Sequence, residues 1–451
     1  MYGQKHEGDL ALKVGMITLG CAKNTVDTEI MLAGLRTQGY EFTNDPAVAE
    51  ILVVNTCGFI QAAKEESIDT ILEMATWKEK GACRLLLVTG CLTQRYGQEI
   101  LDEMPEVDAV LGTGRLDQLA DVIQRALAGE RVCAVADPTF DYDATTERLR
   151  VTPPYSTYLK IAEGCDHRCA YCAIPLIRGK YHSRSQESII REVKALAREG
   201  LKEINVIAQD VTRYGQDRSG RFELPNLLRQ LVQIPGPAWF RLLYAYPTHF
   251  SSELIELMRS EPRILEYVDL PLQHISPSIL KAMRRPDSPE QVRRLLYQLR
   301  EAMPQVTLRT TFIVGFPGET EQDVELVADL MREICFDHVG VFTYSREEGT
   351  VAAEMPDQIP AAISEERRDY LMSLQAPISL ARNKRYLGQT IEVLVEAPWT
   401  DGQGIVGRGR KDAPDVDGLV YVRNSPARPG EIILAEVEQA LEYDLVGVAR
   451  A

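Results

Sequence analysis

Short runs of consecutive apolar residues alternate with longer stretches in which apolar positions recur every three or four residues along the first 145 or so positions. Continuous apolar runs suit strands buried on both faces, and the 3.6-residue period suits helices packed on one face. The pattern predicts strands at Val14–Gly20, Ile51–Thr56 and Arg84–Gly90, with a further short one at Asp108–Gly112. Helices are predicted at Asn24–Gln38, Gln61–Lys80 and Thr93–Met104. Strands alternating with helices in this way imply a doubly wound α/β domain with a parallel sheet. The stretch from Asp137 to Pro154 reads as a linker.

A second series of strands follows at Tyr158–Ala162, Glu203–Ala208, Phe240–Ala245, Tyr267–Leu270, Leu308–Val314 and His338–Tyr344. Helical periods intervene at Ser185–Arg198, Ser251–Arg259, Pro289–Ala302 and Glu321–Glu333. Six such units fall short of the eight that close a TIM barrel, so an open partial (βα)6 barrel is expected. After a long charged helix at Ser364–Tyr386 come five short strand-like runs broken by Gly and Pro: 390–396, 404–409, 418–421, 431–437 and 443–448. They suggest a small antiparallel β-barrel of OB-like size. The expected organisation is α/β multidomain, with domains at 1–145, 151–380 and 387–451.

Composition narrows the class. The 451 residues are 45% apolar and 26% charged, which excludes a disordered chain, a collagen-like fibre or a small disulfide scaffold. No run of about 18 uncharged apolar residues occurs, and the residues after Met1 lack an apolar leader, so a cytoplasmic protein with no membrane partner is expected. The net charge of -16 repels nucleic-acid phosphates and favours a basic partner. In a reducing compartment, nine cysteines point to metal or catalysis rather than to disulfides.

Cys165, Cys169 and Cys172 form a C-x3-C-x2-C run directly after the first strand of the second series. Thiolates are the soft ligands of iron–sulfur clusters, and three of them leave one iron of a 4Fe–4S cube open for a chelating small molecule. Structural zinc with His167 or His182 as fourth ligand is the alternative, although zinc sites usually pair their cysteines as knuckles. Cys21, Cys57 and Cys91 each stand directly after an apolar strand. In a parallel sheet those carboxyl ends share one edge, so three distant thiols converge there and offer a second cluster site. Any one of them alone would read as core. Cys83, Cys133 and Cys335 match neither set and read as structural.

The run GCDHRCAYC at 164–172, on a strand-to-helix loop of a partial barrel, resembles the radical S-adenosylmethionine (SAM) superfamily. That resemblance implies SAM bound through its methionine part to the open iron, and its one-electron cleavage to a radical that abstracts hydrogen. With the second three-cysteine set on a separate α/β domain, the chain resembles the methylthiotransferases over nearly its whole length. The resemblance implies two 4Fe–4S clusters and SAM used both as methyl donor and as radical source. It also implies a C-terminal TRAM barrel and a product in which C–H has become C–S–CH3. Cys165, Cys169 and Cys172 would hold the SAM-cleaving cluster, and Cys21, Cys57 and Cys91 the sulfur-delivering one. The fragments LGCAKN, NTCGFI and GCDHRCAYCAIPLIRGKYHSR are similar to the branch that modifies an aspartate of small-subunit ribosomal protein S-twelve.

Charge bears on the choice between that branch and its tRNA-modifying relative. Residues 387–451 carry 6 Lys+Arg and 11 Asp+Glu, a net of -5, where a tRNA-gripping barrel should be basic. This barrel suits a basic ribosomal protein, or else its acidity is a solvated face. The rivals are the same chemistry on a tRNA adenosine, and a noncatalytic iron–sulfur scaffold or electron carrier. A carrier normally closes all four ligands of its cluster, where each set here has three. The electron donor and the sulfur donor leave no trace in the sequence.

Other contacts stay open between two readings. Tyr171 either touches the SAM adenine or packs its loop; Gln209 and Asp210 end a strand and point into the barrel mouth, or Asp210 caps. Arg178, Lys180 and Arg184 offer a fork for the SAM carboxylate or an acidic substrate side chain, with Arg184 the favoured one. TTFIVGFPGE at 310–319 is a strand and turn in which Gly315 and Gly318 serve the backbone; it is not a P-loop.

Overall fold

The computed structural model describes residues 12–138, 147–400, 402 and 404–450. The chain start and residues 139–146 of the expected 137–154 linker lie outside these residues. The chain divides into two compact units: one of residues 1–152, 163–167 and 172–184, the other of 153–162, 168–171 and 185–451.

In the first unit a parallel sheet of six strands runs in the order Glu41–Phe42, Lys13–Thr18, Ile51–Thr56, Leu85–Gly90, Ala109–Leu111, Val132–Ala134. Ile51–Thr56 and Leu85–Gly90 are buried at every position, which is why they read as unbroken apolar runs. The two edge strands escaped the sequence pattern because neither is long enough to show a period: Glu41–Phe42 has two residues, both exposed, and Val132–Ala134 has three, one of them exposed. Helix Leu119–Leu127 was not predicted either. Strand order reverses between Lys13–Thr18 and Ile51–Thr56, and such a switch point leaves a crevice outside the carboxyl ends of the two strands.

One part of the expected linker is not free chain. Arg148 pairs with the fully buried Glu29, whose backbone carbonyl accepts from Leu149 N at 2.9 Å and whose carboxylate accepts from Val151 N at 2.9 Å. Residues 148–151 are therefore strapped to helix Ala22–Thr37.

In the second unit six parallel strands follow chain order: Ser156–Lys160, Glu203–Ile207, Trp239–Leu242, Ile264–Asp269, Thr307–Val314 and His338–Thr343. The first and last strands do not pair, so the barrel stays open. Ser185, Ser251 and Ser288 cap the helices that begin just after them, each accepting from a backbone N–H of the first turn, which explains why those starts were legible. Helices Leu224–Leu231 and Pro277–Ala282 were not predicted.

The C-terminal strands close into a five-stranded barrel, and one seam departs from the expected antiparallel pattern: Val420–Arg423 pairs in parallel with Leu445–Ala449. This barrel belongs to the same unit as the open one, and the two meet through buried charge. Glu203 accepts from Arg408 at 2.6 Å and from Arg241 at 3.1 Å; Asp417 accepts from Tyr267 at 2.6 Å. Among the described residues no helix is long and apolar enough to cross a membrane.

Candidate functional site

The switch-point crevice of the first sheet collects the three strand-end cysteines. Cys21 is the N-cap residue of Ala22–Thr37, Cys57 follows Ile51–Thr56, and Cys91 opens helix Cys91–Glu103. Two glycines permit their approach. A Cβ on Gly20, at φ +89°, would lie 2.9 Å from Cys57 Cβ, and one on Gly90, at φ +100°, would lie 2.4 Å from Asn55 Oδ1. Asn24 ties the edge together: its Nδ2 donates to Leu19 O at 2.9 Å and to Thr56 O at 3.0 Å, joining the ends of the two strands at the switch. Ser67 Oγ accepts from Cys57 N at 3.1 Å and donates to Cys57 O at 2.9 Å, which fixes the backbone that carries this thiol.

Arg178 reaches the same crevice. Its guanidinium is 4% exposed, pairs with Asp27, lies 3.6 Å from Glu163, donates to Asn24 Oδ1 at 2.6 Å and donates to Cys91 Sγ at 3.5 Å. Of the three basic residues offered as a carboxylate fork, Arg178 thus pairs with a carboxylate of the chain itself, Asp27. Burial, then the nearby Cys91 sulfur, pushes the Cys57 thiol up to about 12 against the pull of the Phe59 N–H; Cys21 adds to the rise and Arg178 opposes it. Burial also raises the Cys91 thiol, with Arg178 acting the other way.

Buried side by side, Cys57 and Cys91 ionise together only with positive charge beside them, and with Cys21 they make a set of three sulfur donors. That donor set fits an iron–sulfur cluster, whose irons supply the charge and whose ligands are thiolates.

The second cysteine set is divided between the units: Cys165 and Cys172 belong to the first, Cys169 to the second. Within the first unit, Cys165 N donates to Gly179 O at 3.0 Å and Tyr181 N to Asp166 Oδ1 at 3.1 Å, so the chain after Cys172 folds back against the loop. Ile177 and Ala173 pack on Cys91, and Thr113 Oγ1 donates to Ile177 O at 2.7 Å. Arg184 is buried in this unit. Within the second unit, Ala170 N donates to Met283 O and Ala170 O accepts from Ala352 N. Tyr171 packs on the apolar group of Ala170, Met283, Phe316 and Ala352 with its hydroxyl 3.5 Å from Arg285 Nη1.

Gln209 stands just past the carboxyl end of Glu203–Ile207. Asp210 is a cap: it accepts from Thr212 N at 3.0 Å and lies 3.1 Å from His249 Nδ1. Gly315 N donates to Glu319 at 2.7 Å, which closes the 315–319 turn as expected. Cys83 is buried in the apolar core and donates to Leu85 O, Cys335 is the left-handed C-cap of Glu321–Ile334, and Cys133 lies on an edge strand. Asn24, Asp27 and Ser67 escaped the sequence reading, although Asn24 lies in the quoted LGCAKN fragment three residues after Cys21.

Residues 13–112 match the uncharacterized protein family UPF0004, residues 159–331 the radical SAM superfamily and residues 387–449 the TRAM domain. The ribosomal protein uS12 methylthiotransferase RimO of Desulforamulus reducens is 50% identical over 437 residues, covering 96% of this chain and 98% of that protein. The RimO protein of Geobacter sulfurreducens is 47% identical with the same coverage, and that of Myxococcus xanthus is 47% identical over 96% of this chain and 90% of its own length. Among solved structures, the radical SAM methyltransferase TsrM of Kitasatospora setae shares the fold at TM-score 0.56 and 15% identity, covering 74% of this chain and 75% of that one. Matched end to end by relatives that share nearly half its residues, and carrying both cysteine sets in order, the chain belongs to the RimO family of radical SAM methylthiotransferases.

Proposed function

We propose that the protein adds a methylthio group to the β-carbon of an aspartate in ribosomal protein S-twelve, in the cytoplasm, where thiols stay reduced. Residues 1–145 carry the sulfur-delivering site, 151–380 the SAM-cleaving site, and 387–451 a barrel that meets the substrate. Cys165, Cys169 and Cys172 hold one 4Fe–4S cluster and Cys21, Cys57 and Cys91 the other. Tyr171, Arg184 and Gln209 face SAM. When bound, the two clusters and SAM supply one-electron chemistry and a methylated sulfur, so that an aspartate C–H becomes C–S–CH3.

The chain's own residues bind and orient. Ser67 and Asn24 hold the strand ends that present Cys57 and Cys21, and the open side of the six-stranded barrel admits a protein loop. The observation that carries the reading is the gathering of three strand-end thiols at the switch point, on a chain that also bears C-x3-C-x2-C. The acidity of 387–451, net -5, supports a basic protein over tRNA. Anaerobic turnover of the reconstituted, reduced chain with labelled SAM, sulfide and isolated ribosomal protein S-twelve tests it. Label and a methylthio mass gain on one aspartate are expected; label in tRNA instead would overturn the substrate.

A further inference from the structure

Helix Ile174–Arg178 begins two residues after the last cysteine of C-x3-C-x2-C, yet its last side chain ends among the residues of the other cysteine set. Arg178 carries a fixed positive charge, and its surroundings are almost wholly accounted for: Asp27 and Glu163 as counter-ions, Asn24 Oδ1 as acceptor, and the Cys91 sulfur at 3.5 Å. A buried arginine needs its charge matched, and Asp27 alone would do that. The contact with sulfur is additional, and its chemistry differs from that of a structural tie. A guanidinium N–H aimed at a thiolate ligand is a charge-assisted hydrogen bond to the sulfur, and such bonds, with net local charge, set the potential of an iron–sulfur cluster.

We infer that Arg178 is a positioning residue that raises the reduction potential of the cluster held by Cys21, Cys57 and Cys91, with Asp27 acting as the opposing charge that limits the rise. The inference rests on the reading that these three cysteines hold a cluster. It gives one short helix two attachments, one end continuous with the SAM-cleaving motif and the other donating to a ligand of the second cluster.

The test uses the full chain with Cys165, Cys169 and Cys172 all changed to Ala, reconstituted anaerobically with iron and sulfide, so that one cluster remains. Iron content is measured beside the midpoint potential from an EPR-monitored redox titration. Arg178→Gln should keep about four irons and lower the reduced-to-oxidised ratio at a fixed poise about tenfold, which is about 59 mV for one electron. Asp27→Asn leaves the guanidinium less neutralised and should shift the midpoint the opposite way. Damage to the fold would not move the two variants in opposite directions.

An unchanged midpoint in Arg178→Gln at full iron would reduce Arg178 to a structural tie. Should that variant fail to fold, an unchanged or lowered midpoint in Asp27→Asn overturns the inference on its own. A parent chain that binds no iron would instead sink the cluster reading beneath it.

Discussion

Arg408 Nη2 stands 2.6 Å from a carboxylate oxygen of Glu203, with both side chains all but excluded from solvent. Glu203 is the first residue of its strand, so the C-terminal barrel is seated at the amino ends of the parallel strands. The cysteine loop leaves the carboxyl end of Ser156–Lys160, one strand length away, about 16 Å for five residues.

This seam makes a stability prediction. Glu203→Gln leaves Arg408 and Arg241 without their shared anion and should cost about 3–5 kcal/mol, read as a lower urea midpoint. Against its burial, Arg408 and Arg241 hold the Glu203 carboxyl down to about 2. A depressed carboxyl contributes stability above its unfolded value, about 4.3, and loses it as pH falls from there through about 2. Unfolding followed from pH 6 to pH 2 should show that loss in the parent, and Glu203→Gln should lack this component of it.

Iron counts separate ligand from core cysteines. The reconstituted parent should hold about eight irons, and Cys91→Ala or Cys165→Ala about four. Cys83→Ala should keep all eight or so, since its thiol donates to Leu85 O inside the apolar core. Loss of a cluster in Cys83→Ala would undo the assignment.

Glu29 anchors the strap at 148–151 through its carboxylate, beside one bond from Leu149 N to its backbone carbonyl. Replacing it by Ala strands a buried Arg148 and should cost about 3–5 kcal/mol. Limited proteolysis should then cut between 137 and 152 faster than in the parent. Equal cleavage rates would mean that the strap is held by something else.

The acidic face of the barrel should speed encounter with a basic protein. Two basic and two acidic side chains, those of Arg408, Lys411, Asp412 and Asp417, are shielded from solvent, so the net -5 is unchanged outside the seam. Glu436 pairs with Arg450 and Glu438 with Arg423, whereas Glu442 is exposed. Changing all three to Lys should slow association with ribosomal protein S-twelve, with the difference shrinking as salt is raised, and leave SAM cleavage intact. An unaltered on-rate at low salt would remove the charge argument.

What the sequence determined by itself is what depends on neighbours along the chain. Pro289–Ala302 and Ile51–Thr56 were legible to the residue, because a capping Ser and a fully buried apolar run are local signals. That Cys21, Cys57 and Cys91 share one edge was legible too, since every strand of a parallel sheet ends on the same edge, but their meeting needed the three strands to be neighbours. Tertiary structure alone decided which partner each buried charge received. Arg178 looked like a ligand for a carboxylate and found Asp27, 151 residues away, while Arg148 in an expected linker found Glu29 across 119 residues. Both pairings hang on helix Ala22–Thr37 lying beside the switch between Lys13–Thr18 and Ile51–Thr56. A strand's period encodes which way its side chains point, but strand order is set by the packing of whole elements, and a buried ion chooses its counter-ion only after that packing exists.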